Sequence, residues 1–383
     1  MRITNVEAIV LRQPNVDGMI SDGSQDDLVI RIETDEGIIG VAEVDSSPEM
    51  VKAAIEAPDS HVIGSGLRTL LLGEDPLEIE RLWHKLYRRA IYFGRRGVGI
   101  HALSGVEIAL WDIKGKALGA PVCRLLGEPK RDRVRAYAST LMPETAAAVE
   151  ERVSELMADG FSAIKFGWGP LGQAARRDIE LIRAARRAAG ERVALIIDAG
   201  LGYGSDVETA LTVARACEEL GVFCLEEPFG PDELSAYASL ADKADIAISA
   251  GEQLTTLSEF ADLINQGRID IVQPDVTRCG GLAEAVRIAR YAEERGVGFM
   301  PHAWKSGIIK AATLHVLAVV PSAPFLEYAV AQTPINSGLT HQRFPLVDGC
   351  VEIPTAPGLG VEIDSNVLAQ FSVNHGAPIG ARP

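Results

Sequence analysis

Hydrophobic and polar positions follow one rhythm over most of this chain and another over its first third. From Arg133 to Tyr328, short β-type runs alternate with amphipathic helical runs at a spacing of roughly 25 residues, the rhythm of βα units around a parallel barrel. The β-type runs are Val134–Ser139, Ala163–Trp168, Val193–Ala199, Phe223–Pro228, Ile246–Gly251, Ile269–Pro274, Gly298–His302 and Phe325–Tyr328. Between them, Glu144–Asp159, Arg176–Ala189, Asp206–Leu220, Leu282–Arg295 and Ile308–Val320 are rich in Ala, Glu, Arg and Leu, with apolar residues at helical spacing. Eight strands and seven connections predict an α/β fold, a TIM-type barrel in its (β/α)7β form.

The first part lacks this alternation. Ile3–Leu11, Leu28–Thr34 and Ile38–Ala42 read as a β-meander turning at Asp35-Glu36-Gly37, followed by helices at about Pro76–Arg89 and Leu103–Leu118. The expected division is an α+β capping domain over 1–130, the barrel over 131–340, and a Pro- and Gly-rich segment, 341–383, returning to the capping domain.

Composition narrows the partners. At 383 residues and a net charge of −16, the chain offers no basic stripe for nucleic acid or an anionic membrane surface. No apolar run reaches the roughly 18 residues of a membrane span, and the opening Met-Arg-Ile-Thr-Asn-Val-Glu lacks a signal layout, so the expected location is the cytoplasm. Five scattered cysteines, none spaced C-x-x-C, argue against a disulfide framework or a zinc site.

The acids at the strand ends are the informative feature. Asp198 sits near the C-terminal end of the third barrel run, Glu226 near that of the fourth and Glu252 at that of the fifth. Strand C-termini converge on one mouth, and carboxylates gathered there are costly unless a hard cation neutralises them; oxygen ligands favour Mg²⁺ over zinc. The sixth run ends in Asp275 and the seventh in His302, a pairing in which a carboxylate orients an imidazole and makes it a base. Lys165 on the second run offers a cation for a substrate carboxylate or for proton transfer, and Glu327 on the eighth a protonated acid that hydrogen-bonds a developing enolate oxygen. A single acid at a strand end is ordinarily a loop or cap residue, and a single histidine a structural one; seven polar residues at the ends of neighbouring strands are a constellation. Glu227 beside Glu226 is ambiguous, since successive strand residues face opposite ways.

These residues resemble the enolase superfamily, specifically its mandelate racemase subgroup, whose sites use Lys or His bases with Mg²⁺. The likeness spans nearly the whole chain. It includes Gly105-Val106-Glu107-Ile108-Ala109-Leu110-Trp111-Asp112-Ile113-Lys114-Gly115-Lys116, Arg124-Leu125-Leu126-Gly127, Leu225-Glu226-Glu227-Pro228, Ala250-Gly251-Glu252, and Gln273-Pro274-Asp275 through Gly280-Gly281. The resemblance implies Asp198, Glu226 and Glu252 as ligands of one Mg²⁺ per subunit (Mn²⁺ being a tolerated substitute), Asp275–His302 as the base dyad and Glu327 as the electrophilic partner. It also implies a homo-oligomer, and capping loops near Pro14–Asp27 and Ser46–Ala57 that close over a small anionic substrate.

Where muconate cycloisomerases carry a lysine after the sixth strand, this chain reads Asp275-Val276-Thr277-Arg278, which selects the mandelate racemase type. One departure bears on the reaction. The family's second strand often carries Lys-x-Lys, the second lysine serving the other face of the substrate; here the segment reads Lys165-Phe166-Gly167, and Gly200 stands where many relatives have a polar residue. Gly167 cannot carry a proton, so racemisation or epimerisation with two bases is disfavoured. What remains is proton abstraction by His302 alone with β-elimination. Dehydration of a sugar acid (aldonate or aldarate) to a 2-keto-3-deoxy acid leads, ahead of a cycloisomerase acting on a sugar-acid lactone or anhydro sugar acid. Asn15, Asp17, Ser21, Asp22 and Ser24 in the first capping loop suit a polyol. A metal-dependent amidohydrolase would want His-x-His after the first barrel strand, and Ala136-Tyr137-Ala138-Ser139-Thr140 has none.

Overall fold

In the computed structural model, which describes residues 1–61 and 64–373, β1 (Ile3–Arg12), β2 (Asp26–Thr34) and β3 (Ile39–Glu43) form an antiparallel meander. It packs on the helix Val98–Leu118, most of whose residues are buried. That helix is apolar around much of its circumference because sheet, neighbouring helices and barrel all contact it. Its start lies before the expected Leu103, since Gly97 and Val98 carry no periodic signal of their own.

Eight parallel strands follow: β4 (Arg133–Leu141), β5 (Ala163–Gly167), β6 (Ala194–Asp198), β7 (Cys224–Glu226), β8 (Ala247–Ala250), β9 (Ile271–Val272), β10 (Gly298–Phe299) and β11 (Leu326–Ala329). They pair in sequence order, and β11 returns to lie beside β4, so the sheet curls into a barrel whose ladder runs from β10 round to β11. Helices on the outside connect them, including two that periodicity did not expose, Leu234–Ala241 and Thr256–Asp262. Both are too short to display more than two turns of pattern. Most strands are shorter than the β-type runs, because the last residues of those runs leave the ladder at the mouth. The run Gly298–His302, for example, keeps only Gly298 and Phe299 in paired register. Tyr137, Ile196, Cys224, Met300 and Phe325 fill the barrel's lower interior.

After β11 the chain adds β12 (Cys350–Glu352) antiparallel to the start of β4, then crosses to the helix Val98–Leu118, and reaches β1 where Ser372 bridges Leu11. The part of the expected returning segment over 374–383 lies outside the described residues.

The meander and its helix are tied to the barrel by buried carboxylates that cap barrel helices. Glu43 accepts the amides of Ser306 (3.1 Å) and Ile309 (2.5 Å), at the start of the helix Gly307–Val319. Glu107 accepts those of Leu282 (2.8 Å) and Ala283 (3.1 Å), which open the helix Leu282–Glu293. Helix N-termini leave amides without internal partners, and an anion there complements the dipole as well. Asp112 similarly joins Val41 of β3 to Leu359 of the returning segment. Among the described residues no helix is long and apolar enough to cross a membrane. No cysteine is paired; four are buried and Cys350 is half-buried.

A buried histidine makes the fold acid-sensitive. His315 Nδ1 accepts the Cys123 amide and Nε2 lies 3.2 Å from the Leu359 carbonyl, an arrangement that requires the neutral ring. Burial lowers its pKa to about 4. Because the folded pKa lies below the unfolded one, this stability is complete above about pH 6.5 and is lost as the pH falls toward 4, on the order of 3 kcal/mol in all. Thermal melts of His315→Gln, whose amide can accept and donate at the same places, are expected to fall less steeply across that window than the parent's. Equal slopes would disprove the assignment.

Candidate active site

At the mouth of the barrel the ends of β4, β5, β6 and β11, with the segments after β8, β9 and β10, surround a cavity of about 300 Å³. Lys165 on β5 is at its base. Its ammonium lies 2.6 Å from Glu226 Oε1, 2.9 Å from Glu327 Oε1 and 3.8 Å from Asp198 Oδ2. Although burial opposes its charge, Glu226 and Glu327 hold its pKa well above the ordinary lysine value. Glu226 takes its second bond from Gln273 Nε2 (2.7 Å). Glu227 faces away, held by the Gly251 amide and Gln253, which resolves the ambiguity between the two glutamates.

On the other side stands His302. Its Nδ1 is 2.7 Å from Asp275 Oδ2, and its Nε2 is 3.5 Å from Glu252 and 4.0 Å from Glu327. Asp275 is itself fixed, its Oδ1 accepting both the amide and the hydroxyl of Thr277 at 2.6 Å. Burial disfavours the imidazolium, but Glu252, Glu327 and the bond to Asp275 outweigh it and raise the His302 pKa to about 10. Glu327 differs from the neutral donor expected of it. It accepts from Ser139 Oγ (2.7 Å), the Ala303 amide (2.8 Å) and Lys165, and although burial alone would raise its pKa, Lys165 and His302 lower it to about 2. Its oxygens thus meet three donors, the pattern of an acceptor.

Asp198, Glu226 and Glu252 are an all-oxygen set with surplus negative charge. Burial, then the neighbouring Glu226, pushes Asp198 well above the usual carboxylate range, and burial raises Glu226 despite Lys165. A hard cation relieves both. It would also offset the charge of Glu252, which contributes most to holding His302 protonated, and so return the imidazole toward the range where it accepts protons at neutral pH. A tighter group, Asp45, Asp275 and His302, places donor atoms within 4.8 Å of one another. There Arg278 lies 3.0 Å and Lys305 3.7 Å from Asp45, so two fixed cations already balance the charge. The buried acids of the mouth can thus hold a metal ion.

Both glycines that departed from the family pattern have steric reasons. A Cβ on Gly167 would stand 2.6 Å from Asp198 Oδ2, so that carboxylate fills the room a second lysine would need. Gly200, at φ 56°, makes room for an indole: a Cβ there would be 2.8 Å from Trp168 Cδ2. Trp168 and Trp304 are half-buried walls of the cavity that sequence pattern alone did not single out. Asp45, Arg278 and Lys305 were also missed as site residues, because no periodicity marks a contact between the meander and the barrel. From the first capping loop Ser21 and Gly23 reach the cavity, whereas Asp17 and Asp22 bond the loop's own amides. From the second it is Asp45, just before the expected Ser46–Ala57, that lines it; Pro48–Glu56 is helical.

A (β/α) barrel with an acidic mouth and an antiparallel lid is an enzyme architecture, and comparison supplies its family. The chain belongs to the enolase superfamily: residues 148–367 match the enolase C-terminal domain-like family and residues 2–127 the mandelate racemase / muconate lactonizing enzyme N-terminal domain. It is 34% identical over 358 residues to D-galactarolactone cycloisomerase from Agrobacterium fabrum, covering 90% of each chain. It is also 34% identical over 345 residues to arabinonate dehydratase from Saccharolobus solfataricus, covering 89% of each. A racemase from Streptomyces coelicolor A3(2), solved with bound magnesium, superposes with a TM-score of 0.85 at 28% identity, over 97% of this chain and 100% of that one.

Proposed function

We propose that this protein is a Mg²⁺-dependent lyase that dehydrates a sugar acid, an aldonate or aldarate, to a 2-keto-3-deoxy acid. The observation that carries the reading is a single base on one face of the cavity. His302 is oriented by Asp275 at 2.7 Å, while the position from which a second base would act is a glycine packed against Asp198. One base suits removal of an α-proton followed by loss of a β-substituent, and not inversion of a stereocentre.

Asp198, Glu226 and Glu252 would hold Mg²⁺, which supplies Lewis-acid polarisation of the substrate carboxylate. Lys165 contributes a second, permanent positive charge where the carboxylate becomes an enediolate. His302 Nε2 takes the α-proton, with Asp275 keeping Nδ1 protonated so that Nε2 is the free acceptor. The same Nε2–H then protonates the departing β-hydroxyl, which leaves as water; the enol ketonises to the 2-keto acid. Trp168 and Trp304 cover the carbon chain. Trp168→Ala is expected to raise KM about tenfold with a smaller change in kcat, because an aromatic wall contributes to binding the ground and transition states alike. Unchanged KM would remove Trp168 from the substrate site.

A cycloisomerase reading has its own support in the 34% identity to D-galactarolactone cycloisomerase across 90% of each chain. In lactone opening by the same proton abstraction the departing group is a carboxylate, which needs no general acid. The test is to incubate the protein and Mg²⁺ with mono- and diacid sugars and their lactones, trapping 2-keto acids with semicarbazide, with His302→Asn in parallel. A keto acid formed from open-chain acids by the parent alone supports dehydration. Consumption of lactones without action on the acids selects the cycloisomerase. Inactivity on both, with no exchange of the α-proton for deuterium, overturns the proposal.

A further inference from the structure

The capping meander ends at Glu43, and two residues later Asp45 is buried against the barrel, making contacts that lead to both halves of the site. Its backbone amide donates to Thr277 Oγ1 (3.0 Å), and the same hydroxyl donates to Asp275 Oδ1 (2.6 Å). Its carbonyl accepts from Arg278 Nε (2.6 Å), and its carboxylate lies 3.0 Å from Arg278 Nη2, 3.7 Å from Lys305 Nζ and 4.0 Å from His302 Nδ1.

The two cations carry the connection further. Arg278 Nη1 donates to the Glu252 carbonyl at 3.1 Å and lies 3.5 Å from Glu252 Oε1, and Arg278 Nε is 3.8 Å from Asp275 Oδ2. Lys305 donates to the carbonyls of Gly23 and Asp26, in the first capping loop. Burial opposes ionisation of Asp45, yet Arg278 and Lys305 hold it well below the usual carboxylate range. Both lid segments therefore reach the barrel through one shared counter-ion, which also abuts the dyad.

We infer that Asp45 is a positioning residue of the capping domain, which holds Asp275 and His302 in register through Thr277 and Arg278 and so couples seating of the lid to assembly of the base. The inference rests on reading His302–Asp275 as the base. The physical reason is competition. With the Asp45 charge gone, Arg278 keeps Asp275 and Glu252 as its remaining anionic neighbours. Closer engagement with Asp275 draws that carboxylate from the imidazole. Asp45 lines the cavity as well, so the rival role is direct contact with substrate, and the two differ in the kinetic parameter they move.

The experiment compares Asp45→Asn with the parent, both loaded with Mg²⁺, and reads steady-state kinetics together with the downfield proton NMR signal of the His302 Nδ1–H bond to Asp275, assigned by its loss in His302→Asn. The expected result is a fall in kcat of about 10- to 100-fold with KM within about threefold, the range for partners that orient a catalytic group, and a shifted or broadened downfield signal. Thr277→Val, which preserves shape but removes the hydroxyl bridge, should move both readouts in the same direction and keeps the inference testable if Asp45→Asn does not fold. A raised KM with kcat and the NMR signal unchanged makes Asp45 a substrate contact and overturns the inference, as does parental behaviour of Thr277→Val. The signal is read in protein without substrate, so it reports on positioning even if sugar acids prove not to be the substrates. If His302→Asn kept activity, the base assignment would be what failed.

Discussion

His302→Asn is expected to lower kcat by about 10³-fold or more and to abolish exchange of the substrate α-proton with D₂O, while leaving the melting temperature close to the parent's. Loss of function follows from chemistry, since an amide cannot accept the α-proton or return it to the leaving group. Retention of the fold follows from geometry, since an asparagine amide can still donate to Asp275, which keeps its two bonds from Thr277. Asp275→Asn should cost less, about 10²-fold, because the imidazole survives but is no longer held in the tautomer that leaves Nε2 free. Mass-spectrometric measurement of deuterium uptake separates proton abstraction from later steps. If His302→Asn still exchanged the α-proton at the parental rate, another group would have to be the base, and among the described residues Lys165, the other nitrogen base at the cavity floor, is engaged by Glu226 and Glu327 at 2.6 and 2.9 Å.

How much of this was legible beforehand depends on the range of the interaction. Barrel strands and most helices showed in periodicity because burial of one face is written into local spacing, and the acids at the strand ends followed because the architecture sends those ends to one place. Strand ends were overextended for the same reason: Gly251, Pro274 and His302 end apolar runs in sequence but lie beyond the ladder in space. What stayed hidden involves pairs far apart in the chain. Glu107 was visible as part of a family-like motif, yet that it caps a barrel helix 175 residues away was not. Asp45 and Arg278, separated by 233 residues, look like two ordinary surface charges until the meander is placed on the barrel. Gly167 was read as the absence of a base; only the position of Asp198 shows that the space itself is taken. The protonation expected of Glu327 could not be judged without knowing that Lys165 lies 2.9 Å away.

Removal of the metal should separate activity from stability. Chelation is expected to abolish turnover, with Mg²⁺ restoring it, because neither Lys165 nor His302 can by itself offset the charge that develops on a carboxylate losing its α-proton. In the metal-free protein the acids of the mouth are a liability: Asp198 lies buried beside Glu226 and Glu252, and its ionised form is disfavoured by burial and by both neighbours. Asp198→Asn retains an oxygen to accept the Gly200 amide, now bonded at 2.8 Å, but removes a carboxyl group whose ionisation burial and its neighbours oppose. The variant without metal is therefore expected to melt a few degrees above the metal-free parent while being inactive, an instance of function maintained at the expense of stability. Adding Mg²⁺ should reverse the order, since an ion at a hundred times its Kd stabilises the parent by about 2.7 kcal/mol, and the variant, with a ligand charge removed, gains much less. Scanning calorimetry of both proteins with and without Mg²⁺ reads all four states. Equal Mg²⁺-induced shifts in the two would place the ion away from Asp198, and a metal-free variant less stable than the parent would show that the Asp198 carboxylate is held by favourable bonds and not strained by its neighbours.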